Sequence, residues 1–75
     1  MFIFATANGK ATVINSLHVR NIEYSLFDSG TELRIYAHMI DGAGFELETI
    51  TNPTPFTQGT IRTLLSVWQD KFNSK

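Results

Sequence analysis

The stretch GTIRTLLSVWQDKF, Gly59 to Phe72, places its apolar residues at a spacing that decides what the rest of the chain must do. Ile61, Leu64, Leu65, Trp68 and Phe72 fall at i, i+3, i+4, i+7 and i+11, with Arg62, Thr63, Ser66, Gln69, Asp70 and, just beyond, Asn73 on the other side. At about 3.6 residues per turn those two sets occupy opposite faces of a helix. The approach, TNPTPFTQ, offers two starts: Thr54 as cap with Pro55 in the first turn, or Thr57 as cap. Gly59 inside the first turn costs about 1 kcal/mol relative to alanine, which pulls the start toward Thr60. Each residue before a proline is pushed to extended geometry, so Asn52-Pro53 and Thr54-Pro55 read as a strand-to-helix connector.

One amphipathic helix needs an apolar surface to cover, and the upstream sequence supplies a sheet. TELRIYAHMI, Thr31 to Ile40, alternates cleanly, with Leu33, Ile35, Ala37 and Met39 on one face and Glu32, Arg34, Tyr36 and His38 on the other. DGAG turns the chain, and FELETI then sends Phe45 and Leu47 inward and Glu46 and Glu48 outward. Before it, LHVRNIEYSLF alternates as Leu17 and Val19, then Ile22, Tyr24 and Leu26. The gap of three at Arg20-Asn21 marks a bulge or corner, because one extra residue swaps faces. At the start, FIFATA and KATVI flank Asn8-Gly9, a hairpin signal that predicts a type I′ turn with Phe4 opposite Val13 and Ile3 opposite Ile14.

Both faces of that hairpin are apolar. Phe2 and Phe4 are read as core with Phe45, Trp68 and Phe72. Ile3, Ala5 and Ile14 are left either as scattered surface residues or as a face for association. The expected fold is α+β: an antiparallel sheet of four to five strands over residues 2–51, packed against one C-terminal amphipathic helix, in a single domain spanning 1–75.

The 75 residues, of mass 8.4 kDa, lie near the lower end of what folds without staples. Mass scaling gives roughly 4,600 Å² of surface folded against roughly 12,000 Å² unfolded. With no cysteine, disulfides and thiolate metal sites are excluded. Six Lys and Arg against seven Asp and Glu give a net charge of −1 without blocks of either sign, so neither a basic nucleic-acid surface nor an acidic mimic is announced. MFIFATANGK has no basic n-region and no long apolar run, and no transmembrane segment is expected. The expectation is a soluble cytoplasmic protein.

His38, set across from Glu46 or Glu48 in a hairpin around DGAG, has the look of a general base oriented by a carboxylate, but with nothing to complete a site it is read as a cross-strand ion pair. None of the serines sits in a nucleophile motif, and His18 and His38 share no ligand spacing. DGAGFELE is not a dinucleotide fingerprint, since the third glycine falls at Leu47 and no helix opens there. Arg34 beside Tyr36 is the one cationic-aromatic pair on the polar sheet face. No catalytic or metal-binding residue and no cofactor is expected. The candidate binding set is Arg34, Tyr36, His38, Glu46 and Glu48. The expected partner is another protein or a second copy of the chain, as a homodimer; single-stranded nucleic acid on the sheet is the alternative.

Asn8-Gly9-Lys10, Val13-Ile14-Asn15, Val19 and Ile22-Glu23 resemble the opening third of the short FlbD-type proteins encoded beside flagellar genes. The resemblance implies a small non-enzymatic regulatory or accessory protein and carries over no functional residue. The longer third strand and the Trp-containing helix depart from that pattern. An inhibitor encoded by a phage or other mobile element is a further expectation, suggested by small size.

Overall fold

The computed structural model describes residues 2–7 and 9–73. Five strands and one helix follow in the order β1 Phe2–Ala7, β2 Lys10–Asn15, β3 Val19–Phe27, β4 Glu32–Met39, β5 Gly44–Thr51 and α1 Gln58–Asn73. Short 3-10 turns occupy Ser16–His18 and Asp28–Gly30. The strands form one antiparallel sheet in the order β2-β1-β5-β4-β3, so the chain is an α+β fold with one helix on a five-stranded sheet.

The alternation in β4 places its side chains as its sequence requires. Leu33, Ile35 and Ala37 have no exposed surface and Met39 very little, while Glu32, Arg34, Tyr36 and His38 line the opposite face. The expected slip in β3 is present as a bulge between Val19 and Asn21. A second bulge lies in β5: Ile35 pairs with Glu48 but Tyr36 pairs with Glu46, so Leu47 is an extra residue. From that point the phase of β5 is reversed. Glu48 and Ile50 therefore share the face of Ile35 and Leu33, which corrects the expectation that Glu48 points outward with Glu46.

The hairpin has the expected register, Phe4 against Val13 and Ile3 against Ile14. Gly9 takes φ of 76°, a left-handed conformation that suits glycine, while Asn8, the other turn residue, lies outside the described residues. The buried face is the reverse of the expected one. Ala5 and Ile14 are buried and Ile3 half-buried, whereas Phe2, Phe4 and Val13 are 72%, 78% and 52% exposed.

The connection between hairpin and meander explains this choice. β2 and β3 are the two edges of the sheet, yet only Ser16–His18 separates them in the chain. The edges can be so close in sequence only if the sheet curls and the hairpin folds across the end of the β3–β4–β5 meander. Thr6↔Glu46 is the one bridge pair between β1 and β5 among the described residues. The corner is fixed by Asn15 Oδ1, which accepts the Leu17 N–H at 3.0 Å, and by His18 C=O, which accepts the Ile40 N–H at 2.9 Å. Leu17 stands on this corner and is exposed, instead of pointing inward with Val19 as the alternation suggested. Ala5 and Ile14 pack with Ala37 and Met39, and the two alanines let the layers approach where phenylalanines would hold them apart.

The helix covers the remaining inner surface. Thr57 caps it, its Oγ1 accepting the Thr60 N–H at 3.2 Å and its C=O the Ile61 N–H at 3.0 Å, which decides between the two starts. Thr54-Pro55 instead belongs to the connector. That segment docks on the β3–β4 turn, with the Phe56 N–H donating to Gly30 C=O at 2.8 Å and the Asn52 N–H to Thr31 C=O at 2.9 Å. Gly30 is required there: its φ is 89°, and a Cβ on it would come within 3.3 Å of the Pro55 Cβ. Ile61 and Trp68 are buried against Leu33 and Ile35, and Phe72 touches both halves of the core.

Candidate functional site

Two surfaces carry side chains that could do work, and they lie on different parts of the curled sheet. The first is the polar face of the meander, where four of the five expected binding residues stand. Arg34, Tyr36 and His38 alternate along β4, and Glu46 lies opposite Tyr36 from β5. Glu48 is not with them. Its carboxylate accepts the Trp68 indole N–H at 3.4 Å on the helix side, so it orients the helix instead of joining a site.

Each polar side chain on this face is occupied by a neighbour. Arg34 reaches Glu32 at 2.7 Å and lies with its guanidinium carbon 4.3 Å from the centre of the Phe27 ring. The hydrogen bond to Glu32, and then that to Tyr36, hold the guanidinium in its charged form, above its ordinary value. Glu46 accepts a hydrogen bond from the Thr49 hydroxyl.

His38 contacts neither Glu46 nor Glu48, because its position in β4 falls opposite Gly44. Its Nε2 lies 3.1 Å from Oε2 of Glu23 on β3, and the Asn21 side-chain amide donates to the other oxygen of that carboxylate at 2.9 Å. The two side chains of the pair are 31% and 56% exposed, so the interaction is a solvated cross-strand contact. Among the described residues no three His, Cys, Asp or Glu side chains come together at metal-binding distance.

The second surface is the outer face of the hairpin. Phe2 and Phe4 alternate onto it from β1, and Val13 stands across from Phe4 on β2. At the open end of the hairpin it continues into a cleft of about 590 Å³ whose wall includes Phe2, Val13, Met39, Ile40 and Phe45. Ile40, in the β4–β5 turn, is 64% exposed. His18 and Asp41 bring polar atoms to the rim. A surface of this composition has little to offer proton transfer and much to offer an apolar partner.

In the sequence Phe2 and Phe4 carry the aromatic bulk of a core, and no local pattern marks them, Val13 and Ile40 as one surface. The signal that could have found them is the short chain between β2 and Val19: it draws the hairpin close to β4, where Ala5 and the isoleucines fit and phenylalanines would not.

No helix among the described residues is long and apolar enough to cross a membrane. No protein-family model matches the chain, and neither the curated proteins nor the solved structures contain a significant match to it.

Proposed function

We propose that the protein is a small non-enzymatic module that acts in the cytoplasm by protein contact, as an accessory, regulatory or inhibitory component, through the outer face of its N-terminal hairpin. One observation carries this reading: two phenylalanines, 72% and 78% exposed, stand side by side on a regular strand with an exposed valine opposite. A fully buried aromatic ring removes roughly 150–250 Å² from water, so Phe2 and Phe4 together leave about 300 Å² of apolar surface in solvent. That is already the size of the largest apolar patch on an ordinary monomer, which is often functional. Aromatic residues are also the side chains most often found as anchors at the centre of protein interfaces. The resemblance of the first third to FlbD-type proteins accords with a role of this class.

Single-stranded nucleic acid is the second reading, because bases stack on exposed aromatic rings in the same way. The charges around the sheet weigh against it. Arg34 is paired with Glu32, and Tyr36 stands between Glu23 and Glu46 in the strand register.

Affinity capture from host lysate with C-terminally tagged protein, in nuclease-treated and untreated halves, separates the two readings. The expected result is a stoichiometric protein, a second copy included, that survives nuclease and is lost with Phe4→Asp. Capture that disappears with nuclease would transfer the function to nucleic acid. Capture indifferent to Phe4→Asp would remove the hairpin face from the argument.

A further inference from the structure

β3 is one edge of the sheet, and it lacks the guards that usually keep an edge from pairing. It is 9 residues long against 6 for β2, the other edge, and contains neither lysine nor proline. Its one irregularity, the bulge, lies at its first residues, so Ile22 to Phe27 run regularly. Glu23, Tyr24, Ser25, Leu26 and Phe27 alternate between the two faces and yet all are exposed, as in a strand with nothing beside it.

The hydrogen bonds identify which backbone groups of β3 are free. The Met39 N–H donates to Ala43 C=O across the β4–β5 turn, which directs the backbone groups of His38 away from β5 and toward β3. The same holds at every second residue of β4, for Tyr36, Arg34 and Glu32. Their partners Asn21, Glu23, Ser25 and Phe27 therefore bond inward. Ile22, Tyr24 and Leu26 are left with N–H and C=O aimed at the open edge, and no turn, loop or cap bond among the described residues takes them up.

We propose that this edge pairs with β3 of a second copy of the chain, antiparallel, about a two-fold axis normal to the sheet beside Tyr24. The proposal goes beyond the protein-contact reading above, because it concerns a different strand from the hairpin and leaves the hairpin face free.

The free groups and the charges select this register. Only Ile22, Tyr24 and Leu26 can exchange bonds across the edge, so they must meet one another. With Tyr24 across from Tyr24 of the second copy, Ile22 of each chain pairs with Leu26 of the other, and all three residues are used. Setting Ile22 across from Tyr24 would place Glu23 directly against itself, a like-charge pair. Setting Tyr24 across from Leu26 would leave Ile22 opposite Asp28, which already belongs to the turn.

The side chains match in the same register. Ile22, Tyr24 and Leu26 share the buried face with their β4 partners Ala37, Ile35 and Leu33. Half-buried Ile22 lies against Leu26, 39% exposed, and Tyr24, 37% exposed, lies against its own counterpart. On the opposite face Glu23 meets Ser25. At both ends Arg20 falls across from Asp28; both are exposed, and neither forms an ion pair among the described residues. A strand of any sequence would satisfy the backbone, but this one also matches the apolar row and the charges, and the two-fold makes each match twice.

Sedimentation equilibrium of the purified whole chain over a wide concentration range tests the proposal, with thermal unfolding recorded alongside to establish that each variant folds. The parent is expected to pass from monomer to dimer, and Tyr24→Lys, which sets two ammonium groups together at the axis, to weaken the dimer at least about thirtyfold. Tyr24→Glu should do the same, yet an equimolar mixture of the two variants should associate several-fold more tightly than either alone, because position 24 meets itself. Phe4→Asp should leave the dimer unchanged. Amide hydrogen exchange followed by NMR needs no variant and decides the matter if Tyr24→Lys does not fold. At concentrations where the parent is dimeric, the amides of Ile22, Tyr24 and Leu26 should exchange at least about tenfold more slowly than in dilute solution, while those of Glu23 and Ser25, bonded to β4, change little.

A parent that stays monomeric at every concentration would overturn the proposal. So would a dimer indifferent to Tyr24→Lys, a mixture that associates no better than its components, or a dimer in which those three amides exchange as freely as in the monomer. A dimer lost with Phe4→Asp and kept with Tyr24→Lys would refute the β3 edge and assign self-association to the hairpin, leaving the protein-contact reading intact. A tagged bait already paired through β3 has only its hairpin to offer, so the capture from lysate reads the hairpin face separately.

Discussion

Replacing Ile14 by alanine and, separately, Phe4 by alanine tests which face of the hairpin is the inside. The two residues lie on adjacent registers of the same hairpin, and residue size alone would make the phenylalanine the costlier loss. Ile14 is 4% exposed and packs with Ala5, Ala37 and Met39, in a place where the backbone cannot collapse because the three-residue corner holds the layers. Its truncation is expected to cost about 2–5 kcal/mol.

Phe4, 78% exposed, has only about a fifth of its surface covered. At about 25 cal/mol per Å² over some 45 Å², its truncation removes about 1 kcal/mol, the contact with Val13 included. For a domain of this size each kcal/mol moves the melting temperature by about 4–8 °C. Ile14→Ala should therefore melt about 8–40 °C below the parent and Phe4→Ala about 4–8 °C below it. The assay is thermal unfolding followed by circular dichroism at two protein concentrations. Any part of the Phe4→Ala shift that vanishes on dilution belongs to association and not to the fold. The reverse order at the lower concentration, Phe4→Ala the more damaging, would refute the placement of the hairpin.

Other substitutions test other parts of the structure. Trp68→Ala should cost about 3–5 kcal/mol, most of the stability of a domain this small. Trp68→Phe, which keeps the apolar contacts and loses the bond to Glu48, should cost about 1 kcal/mol; a Trp68→Ala protein that melts with the parent would disprove the helix packing. Ser29 holds a φ of 58° in the β3–β4 turn, a conformation glycine adopts freely. Ser29→Gly should accordingly raise the melting temperature, by an amount equivalent to about 0.5–1 kcal/mol, and a lower value would show that the turn is not strained there. His38→Ala should change stability by less than about 1 kcal/mol in urea titration, as an exposed cross-strand pair allows. A larger loss would mean that the Glu23–His38 contact is more than a solvated one.

The fold was legible in the sequence wherever one face of an element was apolar and the other polar. β4 and α1 are of that kind, and for both the alternation or helical spacing names the buried residues. The bulge at Arg20-Asn21 was legible for the same reason, since a gap of three between apolar residues has few other meanings.

The register of the hairpin was legible but its inside was not, because both of its faces are apolar and pattern alone does not choose between them. What assigns it is the length of a connection between strands that are neighbours in sequence and distant in the sheet. The second bulge lay half-visible: Phe45 and Leu47 fall on odd positions and Ile50 on an even one, but Glu46 and Glu48 look like a matched polar pair until Ile50 is weighed. His38 could not have been matched with Glu23 from the sequence around it. Its strand is flanked by two others, and nothing local says which neighbour supplies the carboxylate.

The corner at Ser16–His18 does more than set the face of the hairpin: it keeps the hairpin folded back onto its own meander. Its neighbours on both sides are extended, with Asn15 at φ −89° and ψ 121° and Val19 at φ −84° and ψ 122°. If the three intervening residues were drawn out to match them, β2 would run on into β3 as one long strand. The hairpin would then point away from the inner surface it covers, toward whatever chain lay beyond. Ala5 and Ile14 would find the same Ala37 and Met39 on a neighbour, with every contact of the core kept and only the identity of the donor changed. The short turn is thus a hinge on which the molecule could exchange its first two strands with another. The bonds from Leu17 to Asn15 and from Ile40 to His18 favour the closed arrangement within one chain.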